Sequence, residues 1–133
     1  MRKYGEDFAE DARLNKMALA DEAEIQPTLT DHYGKLFADA RATRDRIQVA
    51  LKLKRAEANL NFRIFPPDNL KITEAVIEAL IDADAGVQSL EAELLTAKEQ
   101  VYIYEAAMSA MSDKSSMIKV LQSLWSGGYF SAS

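Results

Sequence analysis

Val87, Leu90, Leu94, Ala97, Val101, Tyr104, Met108 and Met111 recur at spacings of 3, 4, 3, 4, 3, 4 and 3. That apolar seam sets the terms for the rest of the chain. A strict 3–4 alternation sustained over more than three heptads belongs to a long helix that pairs with another helix along a coiled-coil-like line. Ser115 and Ile118 are the next seam positions, so the pattern predicts a helix over about 84–126. At 1.5 Å per residue it is on the order of 64 Å long. A globule of 133 residues has a radius of gyration near 14 Å. A helix of that length pairs as an antiparallel hairpin or assembles between subunits, and both are expected here.

The remaining elements follow from where the chain is punctuated. Ala, Leu, Glu, Lys and Met dominate, and no segment alternates like a sustained strand, so the fold class is all-α. Phe65-Pro66-Pro67-Asp68-Asn69 is the strongest break, because two prolines remove two N–H donors and fix two φ angles. Pro27 is read as ending a first helix over about 8–25. Thr28 or Thr30 is read as capping a second over about 29–62, some 50 Å long. Thr73 caps a piece over 74–83, and Gly127-Gly128 stops the last helix. Whether 74–83 is separate from 84–126 turns on Asp82 and Asp84 near Gly86, which could cap a new start. The expectation is one all-helical domain over 1–133, with long antiparallel helices and an oligomerisation helix at the C-terminal end.

Charge is distributed unevenly. The chain carries 16 Lys and Arg against 21 Asp and Glu, a net charge of -5. Yet residues 41–63, RATRDRIQVALKLKRAEANLNFR, hold seven basic groups and two acidic ones. On a helix Arg41, Arg44, Gln48, Lys52, Arg55 and Asn59 form one polar stripe with four positive charges, flanked by Arg46 and Lys54, while Ile47, Leu51 and Ala58 lie on another face. Such a stripe matches a row of phosphates: point charges from Lys, forked donors from Arg, amides from Gln and Asn. Phe62 and Phe65 follow it and could stack on unpaired bases. The other reading is structural. A basic stripe is commonly a solvated face or the partner of an acidic helix, here one bearing Glu91, Glu93, Glu99 and Glu105, and Phe62 and Phe65 would then belong to the core.

Other chemistry finds little support. There is no Cys, which removes disulfides and thiolate metal sites and suits a reducing compartment. His32, the single histidine, is read as an exposed residue in a first helical turn. Glu78, Asp82 and Asp84 could attract a cation, but no ligand pattern accompanies them and a solvated acidic face is the expectation. No phosphate loop, nucleophile elbow or HExxH is present, so the chain is read as a non-enzyme needing no cofactor or metal. No apolar run could span a bilayer and no signal-peptide core opens the chain, so a cytoplasmic protein is expected. Leu121 and Trp125, with Tyr129 and Phe130 around Gly127-Gly128, form either a hydrophobic clasp or a partner contact.

Four places resemble the UvsY-type recombination mediator proteins of tailed phages. They are Leu14–Ala23, with Tyr33 at an aromatic position beyond it; Val49-Ala50-Leu51-Lys52-Leu53-Lys54; the turn Phe65–Asn69 before an acidic helix; and Met117-Ile118-Lys119-Val120-Leu121 running into a Gly-containing tail. The resemblance implies a ring-like homo-oligomer in the host cytoplasm. It would bind single-stranded DNA and help load a RecA-like recombinase onto DNA coated by a single-strand-binding protein. It maps DNA contact onto Lys52 and Lys54. The stripe adds Arg41, Arg44 and Arg55, and Arg63 and Phe62 close it. Assembly would use the C-terminal helix, through Val87, Leu90, Leu94, Val101, Tyr104, Met108, Met111, Leu121 and Trp125. The competing expectation is a coiled-coil scaffold or adaptor whose basic stripe pairs with acidic helices. The two differ over whether Arg41, Arg44, Lys52 and Arg55 stand open to solvent.

Overall fold

The computed structural model describes residues 4–128. Among them the chain is all-α: α1 (Phe8–Ala12), a single 3-10 turn (Lys16–Ala18), α2 (Leu19–Ile64), α3 (Glu74–Ala83) and α4 (Ala85–Ser126). The two long helices, α2 and α4, pack antiparallel. Tertiary contacts fall into two compact units, one built from residues up to 39 and from 102 onward, the other from 40–101.

In the first unit Leu29 and Tyr33 of α2 meet Ala107 and Met111 of α4, with Ala12, Ile25, Leu36 and Met108 around them. Beside this apolar cluster lies a buried polar one. Lys114 is 2.7 Å from the Glu22 carboxylate, with side-chain exposures of 2% and 7%. It also donates to the main-chain oxygen of Asp11 at 2.6 Å. Asp11 accepts from the Tyr33 hydroxyl at 2.6 Å and from the Gly5 amide at 2.8 Å. A lone buried Lys would be costly; here its charge has a carboxylate and a carbonyl as partners. Burial and the Asp11 carboxylate both push the Tyr33 phenol above its ordinary range, burial most.

The expected break at Pro27 is absent: Pro27 lies inside α2, and Thr28 and Thr30 are mid-helix rather than caps. Pro27 has no N–H to offer the Ala23 carbonyl. Packing on both sides of it keeps the helix running. Gln26 donates to the Met111 carbonyl at 3.0 Å, and Leu29 is 1% exposed. The break falls earlier instead. Residues 8–25 are not one helix, because α1 ends at Ala12 with Arg13 in extended backbone, and Asn15 caps the 3-10 turn through the Met17 amide. His32 is therefore not in a first turn. It is half-buried in α2, with Nε2 3.1 Å from the Gly5 carbonyl and its ring edge-on to Tyr33.

In the second unit Ala58 of α2, Ile77 and Ile81 of α3 and Val87 of α4 form the core, with Leu51 and Phe62 against it. The turn after α2 carries Asn69 at φ 68°, a left-handed position that Asn tolerates. Thr73 caps α3 through the Val76 amide at 3.2 Å. Asp84 accepts from the Val87 amide at 3.1 Å, which starts α4 as a separate helix.

The heptad seam faces inward. Val87 and Met111 are 0% exposed, Val101 and Leu121 are buried, and Leu90, Leu94, Tyr104 and Met108 are half-buried. These residues were expected to join subunits. Val87 and Met111 are instead covered entirely by their own chain and have no surface left for another. Of the expected assembly set, Trp125 alone is exposed. Tyr129 and Phe130, the rest of the expected clasp, lie outside the described residues.

Candidate nucleic-acid interface

The basic stretch lies wholly within α2, and the direction each residue faces is set by the core. Ala58 and Leu51 point at α3 and α4. Residues about a quarter-turn away stand at the rim of that contact, and those half a turn away face solvent.

The stripe divides accordingly. Arg41, Gln48 and Lys52 are exposed. Arg44, at the rim, is bonded to its neighbour Asp45, with two guanidinium nitrogens each 3.0 Å from Oδ1. Arg55 leans over the core and meets three carboxylates: Asp82 at 3.0 Å, Glu78 at 3.3 Å and Glu91 at 3.2 Å. The hydrogen bond to Asp82 is the main cause of its guanidinium pKa rising further. Arg63 grips Glu74 with one nitrogen, 2.8 and 3.0 Å from the two carboxylate oxygens, while its Nε donates to Asn59 at 2.7 Å. That pairing raises the Arg63 pKa and holds Glu74 below the usual carboxylate range.

Lys54 is half-buried, and its stem lies across the start of α4. A Cβ on Gly86 would come within 2.5 Å of the Lys54 Cε, so the glycine makes room for that stem. Phe62 is half-buried and packs against the core cluster. Phe65 is 72% exposed at the end of α2.

Sequence reasoning missed the outermost face of α2 in this unit. Val49, Leu53, Leu60 and Ile64 are each more than half exposed and fall in one row, with Ala56 between them. Single exposed aliphatics are ordinary, but a row of four on one helix face is not. The signal was present as spacings of 4, 7 and 4.

No protein-family model matches this sequence, and no curated protein does. A solved structure does: the crystal structure of the bacteriophage T4 recombination mediator protein UvsY matches with a TM-score of 0.74 over 91% of this chain and 95% of that chain. The fold is that of UvsY. At 16% identity, the likeness to UvsY is one of fold. Among the described residues no group of three acidic or His side chains is placed to hold a metal, and no helix is long and apolar enough to cross a membrane.

Proposed function

We propose that this chain is a non-enzymatic, phage-encoded recombination mediator acting in the host cytoplasm. In this reading it binds single-stranded DNA along α2 and helps load a RecA-like recombinase onto DNA coated by a single-strand-binding protein. The observation that carries the reading is the UvsY fold over 91% of the chain. It is supported by Arg41, Gln48 and Lys52 lying exposed on one side of α2, where Lys and Arg can neutralise successive phosphates. Lys52 is the central contact, with Arg41 and Gln48 on the same side; Lys54 stands on another side of α2, towards α4, and Phe65 is an exposed aromatic able to stack on a base. Arg44, Arg55 and Arg63 enter the interface only by leaving their carboxylates.

Assembly belongs to the same reading, because one short stripe on an acidic protein binds weakly and many copies raise the effective concentration. Val87 and Met111 are covered within the chain, so in this reading subunits join through more exposed faces. The α2 row of Val49, Leu53, Leu60 and Ile64 is bordered by Arg46 and Lys52. The outer face of α4 offers Leu95, Tyr102 and Ile103 beside Glu99 and Glu105. Apolar rows with opposite charged borders fit each other in a second copy of this chain, and two different faces meeting in this way form a ring when the rotation per subunit closes.

The test is fluorescence anisotropy of a labelled single-stranded oligonucleotide titrated with the full chain at several salt concentrations. The reading expects binding whose log K falls with log salt at about 0.7 per phosphate contacted. Absence of binding at low salt by the assembled protein sinks it. A coiled-coil scaffold or adaptor is then the better account, favoured by the three carboxylates on Arg55.

A further inference from the structure

The acids of α3 are arranged in a way the sequence did not suggest. Glu74, Glu78 and Asp82 sit at i, i+4 and i+8, a row of carboxylates on one helix face with about 6 Å of rise per step. Arg55 and Arg63 are also eight residues apart, on α2. The rows match in reverse order. Glu74 pairs with Arg63 at 2.8 Å; Glu78 and Asp82 pair with Arg55 at 3.3 and 3.0 Å. Glu91 of α4 adds a further carboxylate to Arg55 at 3.2 Å. Four carboxylates thus face two guanidinium groups.

Such an excess is more than pairing requires. The helix itself is held by other means: Ile77 and Ile81 are buried against Ala58 and Val87, and Thr73 caps its start. The ion pairs are solvent-accessible, with the Arg55 side chain 31% exposed and its acidic partners 48–64%. Pairs of this kind are weak, screened by salt and exchangeable. A guanidinium takes a phosphate with the same forked donors it gives a carboxylate.

We propose that α3 is a built-in competitor for nucleic acid: its row Glu74–Glu78–Asp82 occupies Arg55 and Arg63 as a run of phosphates would, leaving these arginines as latent phosphate contacts. The inference rests on the reading of α2 as a nucleic-acid face. It divides that face into an open part, around Lys52, and a masked part. A polyanion engages the masked part only once the carboxylates are displaced, so with the acids in place binding runs through the open part alone.

The experiment uses the full chain with Glu74→Gln, Glu78→Gln and Asp82→Asn, near-isosteric changes that leave Ile77 and Ile81 in place. Circular dichroism checks helicity. Anisotropy with the same labelled single-stranded oligonucleotide is read against salt. Two unmasked contacts steepen the slope of log K on log salt by about 1.4, and adding Arg55→Met with Arg63→Met removes that gain. The arginine pair substituted alone, with the acids present, leaves the parent slope where it was. If the triple variant loses helicity, Glu78→Gln with Asp82→Asn takes its place, with a gain of about 0.7 from Arg55 alone.

Three results overturn the proposal: an unchanged slope in the acid variant, a rise in affinity that the arginine substitutions do not reverse, or a slope already reduced by those substitutions in the parent. Where the parent binds, these results leave the DNA-binding reading intact. If neither parent nor acid variant binds, both fall together. If only the acid variant binds, the part around Lys52 is not an open contact, and the division of the face into open and masked parts falls.

Discussion

The Lys114 ammonium lies between the Glu22 carboxylate, at 2.7 Å, and the main-chain oxygen of Asp11, at 2.6 Å, tying α4 to α2 and to the N-terminal segment from a site almost closed to water. Removing one partner of such a pair leaves the other charge buried and uncompensated. Lys114→Met is therefore expected to cost about 3–5 kcal/mol, measured by urea denaturation. Lys114→Met combined with Glu22→Met removes both charges and should recover most of that loss. A double variant as unstable as the single one would mean that the Asp11 carbonyl, not the ion pair, is the main partner.

Tyr33 gives a second expectation. Its hydroxyl donates to a buried carboxylate at 2.6 Å, and Tyr33→Phe should cost about 1.5–3 kcal/mol, the range for hydrogen bonds to charged groups. The phenol pKa is raised by burial and by Asp11. In the unfolded chain it deprotonates first, so its contribution is complete below the ordinary tyrosine range and fades as pH climbs above it. Thermal melts at rising alkaline pH should show a decline that Tyr33→Phe blunts.

At the acid end the informative group is Glu74, held low by its hydrogen bonds from Arg63. Its contribution is present above the normal carboxylate range and disappears as pH falls through its depressed folded value. A carbon-detected NMR titration should find Glu74 protonating at lower pH than an unpaired Glu, and Arg63→Met should return it to the usual range.

Phe62 and Lys52 separate structure from binding. Phe62→Ala empties a position packed on Ala58, Ile77, Ile81 and Val87 and should cost about 3–5 kcal/mol of stability. Lys52→Ala should leave the melting temperature nearly unchanged and lower the salt slope of single-strand binding by about 0.7. A stable Phe62→Ala variant with lost binding would mark Phe62 as a base contact.

Leu53→Asp and Leu60→Asp test assembly through the outer row. Both side chains are more than half exposed, so the fold should be retained. Sedimentation should show dissociation to smaller species. Unchanged assembly would move the subunit contact away from α2.

How much of this could be read from the sequence depended on whether the determining interaction is local. The starts of α3 and α4 were legible because Thr73 and Asp84 are caps, and caps act over three residues. The antiparallel helix pair was legible because the seam repeats over many turns. What the seam meets was not: periodicity marks the apolar face of a helix, and Val87 and Met111 turned out to be covered by their own chain. Pro27 misled for a related reason. Its local effect is to end a helix, and contacts made by Gln26 and Leu29 with residues some eighty positions away override it. The stripe was visible, and so was Glu91 as a partner for it. Glu78 and Asp82 were set aside as a solvated face because only the turn after α2, with Asn69 left-handed, brings α3 back onto Arg55.

The division of contacts bears on how the chain folds as it is made. The unit over 40–101 is continuous in sequence, so a ribosome that has released those residues has released everything it needs. The other unit joins residues up to 39 to residues beyond 101, and its bond from Lys114 to Asp11 bridges 103 positions. Until residues beyond 101 emerge, Leu29 and Tyr33 lack Ala107 and Met111, their partners from α4. The hairpin in the middle of the chain should close first, and the two ends should meet last, as the slower step.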